Sequence, residues 1–411
     1  MKKTLIIILG FIIIILGLSF FRKNDEVVNK NFINDKKSNM AFLVCDLAGE
    51  NCIENNSVPI GSYSIDENKT YCEGGGKVSN YDSALGTIKY IIKGNDECKI
   101  YFKETQKSLS ETVLALERSE DYTSSQDGSI YRVVNQNGVR YEGKDPDNYV
   151  WYNCTDDNDT STCERWRIIG VFDGTDVGLD PSKKYTKIAR STPLETEMAW
   201  DCDDANSDGD CISIYDSLES ENDWVNSTLN QYLNGEYLSS LSTTAQEMIA
   251  EHNGKYSLWH LRGTDSDTHK TLYAAGWYEI ERNTGTAGYR NGIEGDADAA
   301  KEAAIGLMYL SDYGYAAYGS SCNNENTETV YNYGGSCGAV DWLLYSPGMQ
   351  WFISPIAGYA GGAFIMLGKS GGYVSSHGAS FNHSARPVLY LEANVGIEPG
   401  DGSAENPYKL K

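Results

Sequence analysis

Gly334-Gly335-Ser336-Cys337-Gly338-Ala339-Val340-Asp341-Trp342-Leu343-Leu344-Tyr345-Ser346-Pro347-Gly348 leads to Gly361-Gly362-Ala363-Phe364-Ile365-Met366-Leu367-Gly368-Lys369-Ser370-Gly371-Gly372-Tyr373-Val374. Ala385-Arg386-Pro387-Val388-Leu389-Tyr390-Leu391 follows. Ala363 to Leu367 and Pro387 to Leu391 read as apolar strands, and Gly368 to Gly372 as the turn between strands, because apolar runs bounded by Gly and Ser clusters are hairpin signals. Separated segments must converge here to form a core. This unit is therefore the expected centre of a large C-terminal α+β domain.

These residues resemble a domain of unknown function found in surface proteins of Gram-positive gut bacteria. Its members end in Trp-x-x-x-Ser-Pro, a hairpin and Gly-x-Arg-Pro-x-Leu. Trp342, Ser346, Pro347, Arg386, Pro387 and Leu389 stand at those positions. Tyr149 to Phe172, with Trp166-Arg167-Ile168-Ile169-Gly170, and Ile305 to Tyr315 match as well, so the resemblance spans roughly residues 121–391. Two departures are Ser384 where the family has Gly, and the turn Gly-Lys-Ser-Gly-Gly in place of an Asp-Gly type. The resemblance implies a fold similar to C-type lectins and formylglycine-generating enzymes. It implies no activity.

The chain has 411 residues and a net charge of -24. That charge argues against nucleic-acid binding, which needs a basic surface, and favours a self-repelling, soluble surface. Five histidines disfavour multi-histidine metal chemistry. The ten cysteines fall into near neighbours, Cys45 with Cys52, Cys72 with Cys98, Cys154 with Cys163, Cys202 with Cys211 and Cys322 with Cys337. No Cys-x-x-Cys occurs, so disulfides formed in an oxidising compartment are expected, with free buried thiols as the alternative.

Lys2 and Lys3 precede an apolar run from Leu5 to Phe21, about 25 Å long as a helix against a hydrocarbon core of ~30 Å. Residues 1–23 read as a membrane-spanning signal anchor, or alternatively as a cleaved signal peptide. Residues 24–40 read as a linker and 41–104 as a small immunoglobulin-like β-sandwich spacer. Residues 105–120 form a helical linker opened by the capping box Ser108-Leu109-Ser110-Glu111. The α+β domain, C-type-lectin-like by resemblance, spans 121–395, and 396–411 is a polar tail. Within the domain, Tyr149 to Asn153 and Arg165 to Phe172 form a hairpin with Cys154 and Cys163 at its neck. Val225, Leu229, Tyr232 and Leu233 share a helical face that stops at Gly235. A second helix runs from Thr243 to Asn253-Gly254.

Asp204, Asn206, Asp208 and Asp210 fit the first half of a calcium loop, with Tyr215 where an EF-hand needs its bidentate Glu. The alternative is a solvated acidic turn. Gly368-Lys369-Ser370-Gly371-Gly372 spells a nucleophile elbow in letters only, since it lies in a hairpin turn rather than between strand and helix. Arg386 is expected to be structural. Aromatic loop residues define the expected ligand surface: Trp351, Phe352, Tyr359, Tyr373, His377, Phe381 and His383. These features point to a membrane-tethered extracellular ligand-binding or adhesion protein without catalytic activity, taking an unknown surface glycan or protein. A structural envelope or fibre subunit, and an extracellular enzyme, are the alternatives.

Overall fold

The computed structural model describes residues 26–28, 40–60, 63–83, 85–91, 97–105, 107–116, 130–133, 138–202, 222–265, 267–282, 300–317, 322, 329–334, 337–357, 361–398 and 400–411. The apolar run from Leu5 to Phe21 lies outside them. Among the described residues no helix is long and apolar enough to cross a membrane. The chain divides into two compact units, Met1–Lys107 and Ser108–Lys411. Both are dominated by strands, and the whole is mixed α+β with few helices.

The smaller unit has two sheets. Met40–Cys45 runs parallel to Cys98–Glu104. Ile53–Asn55 pairs with the first of these strands, and Tyr63–Ile65 and Tyr71–Cys72 pair with the second. Lys77–Asp82 and Thr87–Ile91 form the other sheet with Glu26–Val28. Strand alternation turns Ile100 and Phe102 inward and Lys99 outward, as a pleat with one buried face requires. Phe42, Ile100 and Phe102 from one sheet meet Ile88 and Tyr90 from the other in a single core. A core this small gains from staples, and Cys45–Cys52 and Cys72–Cys98 are both bonded.

In the larger unit the capping box at Ser108 and Glu111 forms as expected. The helix it starts, Leu109–Ala115, buries Leu109 and Val113 in the unit's main core, so it is a packed element of this unit rather than a linker. The main sheet has nine strands. Ile305–Gly306, Val388–Leu391, Lys184–Arg190, Glu164–Asp173 and Tyr149–Tyr152 lie side by side in that order. The expected hairpin is present, closed at its neck by Cys154–Cys163. Residues 396–411 are not a free polar tail. Tyr408–Leu410 pairs parallel to Tyr149–Tyr152 and antiparallel to Ile397–Glu398, with Tyr408 and Leu410 buried.

Met349–Pro355, Gly362–Leu367 and Tyr373–Gly378 make a separate antiparallel sheet. The Gly368 to Gly372 turn reverses the chain, with Gly372 at φ +99° where an added Cβ would lie 2.2 Å from the Tyr313 hydroxyl. Two helix boundaries differ from the sequence reading. The helix beginning at Thr228 continues through Gly235 as a π-helical turn to Ser240. Thr243–Glu247 is one short turn, and Asn253 and Gly254, both at positive φ, join the strands Glu251–His252 and Lys255–Tyr256. Positive φ at both positions is the two-residue hairpin geometry that Asn-Gly favours.

Six tryptophans are completely buried, Trp166, Trp200, Trp224, Trp259, Trp277 and Trp351. Beside them lies a buried ion cluster. Asp312 accepts from Arg140 Nη1 at 2.7 Å, from Lys187 Nζ and from the Tyr309 backbone N–H at 3.0 Å. Glu281 accepts from the Ser311 N–H at 3.1 Å. Burial pulls the Lys187 ammonium down. Burial would raise Asp312, but Lys187 and Arg140 outweigh it and hold the carboxyl below the usual range.

Candidate functional site

The expected aromatic surface is only partly assembled. Trp351 and Phe352 do not project into solvent. Both are completely buried on Met349–Pro355, a strand where a loop was expected. Trp351 donates its indole N–H to Met198 O at 2.9 Å, and Phe352 packs on Tyr313. They are core residues, not ligand anchors. Tyr359 lies outside the described residues. Tyr373, 40% exposed, stands at the other end of its strand from His377.

Four of the expected residues do meet. His377 stacks on Phe381 with centroids 4.2 Å apart, and His383 sits 4.7 Å from Trp351. His377 Nδ1 and His383 Nε2 are 2.7 Å apart. Burial, then His377, pushes His383 down to about 4, and burial lowers His377. Both rings are thus neutral at pH 7. The candidate calcium ligands Asp204, Asn206, Asp208 and Asp210 lie outside the described residues, as does Cys211, although Cys202 is disulfide-bonded. Among the described residues no group of three or more His, Cys, Asp or Glu could hold a metal ion. Cys322 and Cys337 are bonded, as the spacing suggested.

A different site gathers at the 149–192 end of the main sheet. A cleft of about 520 Å³ is lined by Tyr149, Arg165, Arg167, Arg190, Trp342 and Arg386, together with Glu164, Ser191 and Tyr345. Arg165 and Arg167 alternate on one strand and so share a face. Register places Tyr149 opposite Arg167 and Trp151 opposite Arg165. Arg386 enters just before Val388–Leu391, and the Trp342 to Tyr345 segment supplies the facing wall. The volume falls within the range of small-ligand sites.

Each wall is held by specific bonds. Arg167 donates to Asn148 Oδ1 at 2.7 Å, Asp145 Oδ1 at 2.9 Å and Pro146 O at 3.0 Å. Its guanidinium lies 4.0 Å from the Tyr149 ring centroid and 4.8 Å from that of Trp342. Trp342 is fixed by donation to Tyr141 O at 3.0 Å. Arg190 reaches Glu164 at 3.3 Å and Pro193 O at 2.8 Å. Arg386 donates to Leu343 O at 3.2 Å, while its Nε and the Ser191 hydroxyl are buried with no hydrogen-bond partner among the described residues. Burial, then the neighbouring Arg167, pushes Arg386 down to about 10. Arginines stay charged at neutral pH and offer only donors. The cleft can therefore bind and orient an anion beside flat apolar rings.

Sequence alone marks Arg386 as structural and Arg167 as part of a motif, and assigns none of the four arginines to a ligand site. One signal was available: Arg165 and Arg167 alternate on a strand of a strongly acidic chain. Residues 208–393 match the model of a family described as a domain of unknown function (DUF6273). No curated protein and no solved structure matches the chain. The match includes Trp342, Tyr345 and Arg386, and leaves Tyr149, Arg165, Arg167 and Arg190 outside it.

Proposed function

We propose that the protein is an extracellular binding protein without catalytic activity, and that its larger unit takes its ligand in the arginine–aromatic cleft. One observation carries this reading: four guanidinium groups and three aromatic rings line one cleft in a chain of net charge -24. Arginines at neutral pH neither give up nor take protons, so these groups suit recognition rather than proton transfer. The disulfides support placement in an oxidising compartment. Read as an export segment, the apolar run Leu5 to Phe21 supports delivery there. Kinship with C-type-lectin-like folds belongs to the same proposal and rests on the C-terminal motif.

The test is binding of the purified protein to arrayed glycans and to bacterial and host cell surfaces, with Tyr345→Ala as the cleft variant. Tyr345 is half-buried and lines the opening, so its truncation should weaken binding while the melting temperature changes little. Undiminished binding by this variant would move the ligand site away from the cleft.

A further inference from the structure

We infer that the ligand of the cleft is an acidic saccharide, its carboxylate or sulfate group held by Arg165 and Arg386 and its sugar ring lying beside Tyr345. The inference rests on the cleft being the binding site.

Charge balance is the first argument. Arg167 and Arg190 each have a carboxylate partner, Asp145 at 2.9 Å and Glu164 at 3.3 Å. Arg165 and Arg386 form no ion pair among the described residues. Arg165 donates to the carbonyl of Ala404 and stacks against Tyr149 and Trp151 at 5.2 and 5.4 Å, while Arg386 donates to the carbonyl of Leu343. The acidic neighbour of Arg386 is Asp341, which accepts from the Leu343 N–H rather than from the guanidinium, so neither Arg165 nor Arg386 is bonded to a carboxylate among the described residues. Arg386 is 3% exposed, and a buried guanidinium whose Nε has no hydrogen-bond partner among the described residues is expensive to maintain. A bound anion would offset that cost.

The walls supply the second argument. A planar guanidinium fork matches the two oxygens of a carboxylate or sulfate. Trp342 and Tyr149 already sandwich Arg167, so their rings position the donors. Tyr345 lines the cleft as a further ring, and an aromatic ring offers a flat apolar face with a polar tip. Thr192 contributes an exposed hydroxyl group and Ser191 a buried one to the lining. An inorganic anion would use the guanidinium groups alone. A sugar carrying an acidic group uses both features.

The experiment is calorimetric titration of the full chain with three probes: an oligogalacturonate, a heparin-derived sulfated oligosaccharide, and a neutral cello-oligosaccharide. Inorganic sulfate serves as competitor. We expect at least one acidic probe to bind, the neutral probe not to bind, and affinity to fall as salt rises. Arg165→Gln removes an exposed cation, so it should weaken binding by about tenfold with the melting temperature unchanged. The stronger acidic probe identifies carboxylate or sulfate as the recognised group. Sulfate displacing the probe at equal concentration would overturn the saccharide, leaving an adventitious ion only. Binding of the neutral probe that Tyr345→Ala removes and Arg165→Gln leaves intact would overturn the acidic ligand while sparing the cleft. Binding that survives both substitutions would overturn the cleft itself. No binding of any probe would overturn the inference.

Discussion

Replacing Asp312 with Asn isolates what the buried ion cluster contributes to the larger unit. The side chain keeps its shape, and its amide oxygen can still accept from the Tyr309 N–H that opens the helix Leu310–Ala316. The charge is lost, and the amide NH2 replaces the oxygen that accepts from Arg140. Arg140 and Lys187 then remain buried with no carboxylate between them, since both side chains are at most 1% exposed. Breaking a buried pair by removing one partner costs about 3–5 kcal/mol, because an uncompensated charge stays behind. Natural domains hold about 5–15 kcal/mol in total. The variant should therefore lose a large part of the unit's stability. Urea unfolding followed by tryptophan fluorescence reads this unit alone, because all eight tryptophans lie between Trp151 and Trp351. With a slope of about 3 kcal/mol per molar, a 4 kcal/mol loss lowers the midpoint by about 1.3 M. Adding Lys187→Met removes one orphaned cation and should recover part of the loss. A cost below about 1 kcal/mol, or no recovery in the double variant, would refute the reasoning.

Trp351→Ala should cost about 3–5 kcal/mol, as expected for a fully buried Trp; an unchanged midpoint would return Trp351 to the surface. Glu142 is buried and burial pushes its carboxyl up to about 8. The native state thus holds a proton that the unfolded chain releases near the ordinary value of 4.5, and the stability that Glu142 contributes falls as pH rises from 4.5 to 8. Glu142→Gln should remove that contribution, so the variant gains stability relative to wild type as pH rises across the window, and parallel pH dependences of the two melting temperatures would contradict it. Cys72–Cys98 closes a sequence separation of 26 residues, a constraint of about 3.5 kcal/mol in the chain-entropy treatment. Replacing both cysteines with Ser should lower the smaller unit's transition in tyrosine absorbance and leave the tryptophan transition in place; a shift of the tryptophan transition instead would show that the two units unfold together.

Local signals were legible where the chemistry is local. The capping box at Ser108 needs only its own four residues, and the Gly368 to Gly372 turn needs only backbone freedom at Gly371 and Gly372. Neighbouring cysteines pair across short loops, as Cys45–Cys52 and Cys154–Cys163 do. Local signals misled where packing settled the outcome. Met349-Gln350-Trp351-Phe352-Ile353-Ser354-Pro355 carries no period, because every residue after Met349 is buried, so it read as a loop. The polar stretch 396–411 became part of the sheet because the edge of Tyr149–Tyr152 offered its backbone groups partners. Register alone brought the cleft together. Arg165 and Arg167 lie far along the chain from Trp342 and Arg386, and nothing in either segment encodes the other's distance. Sequence by itself determined the caps, the turns, the short-range staples among the described residues and the net negative charge; tertiary structure decided which cations are bonded to a carboxylate, because an ion pair is a property of neighbours in space.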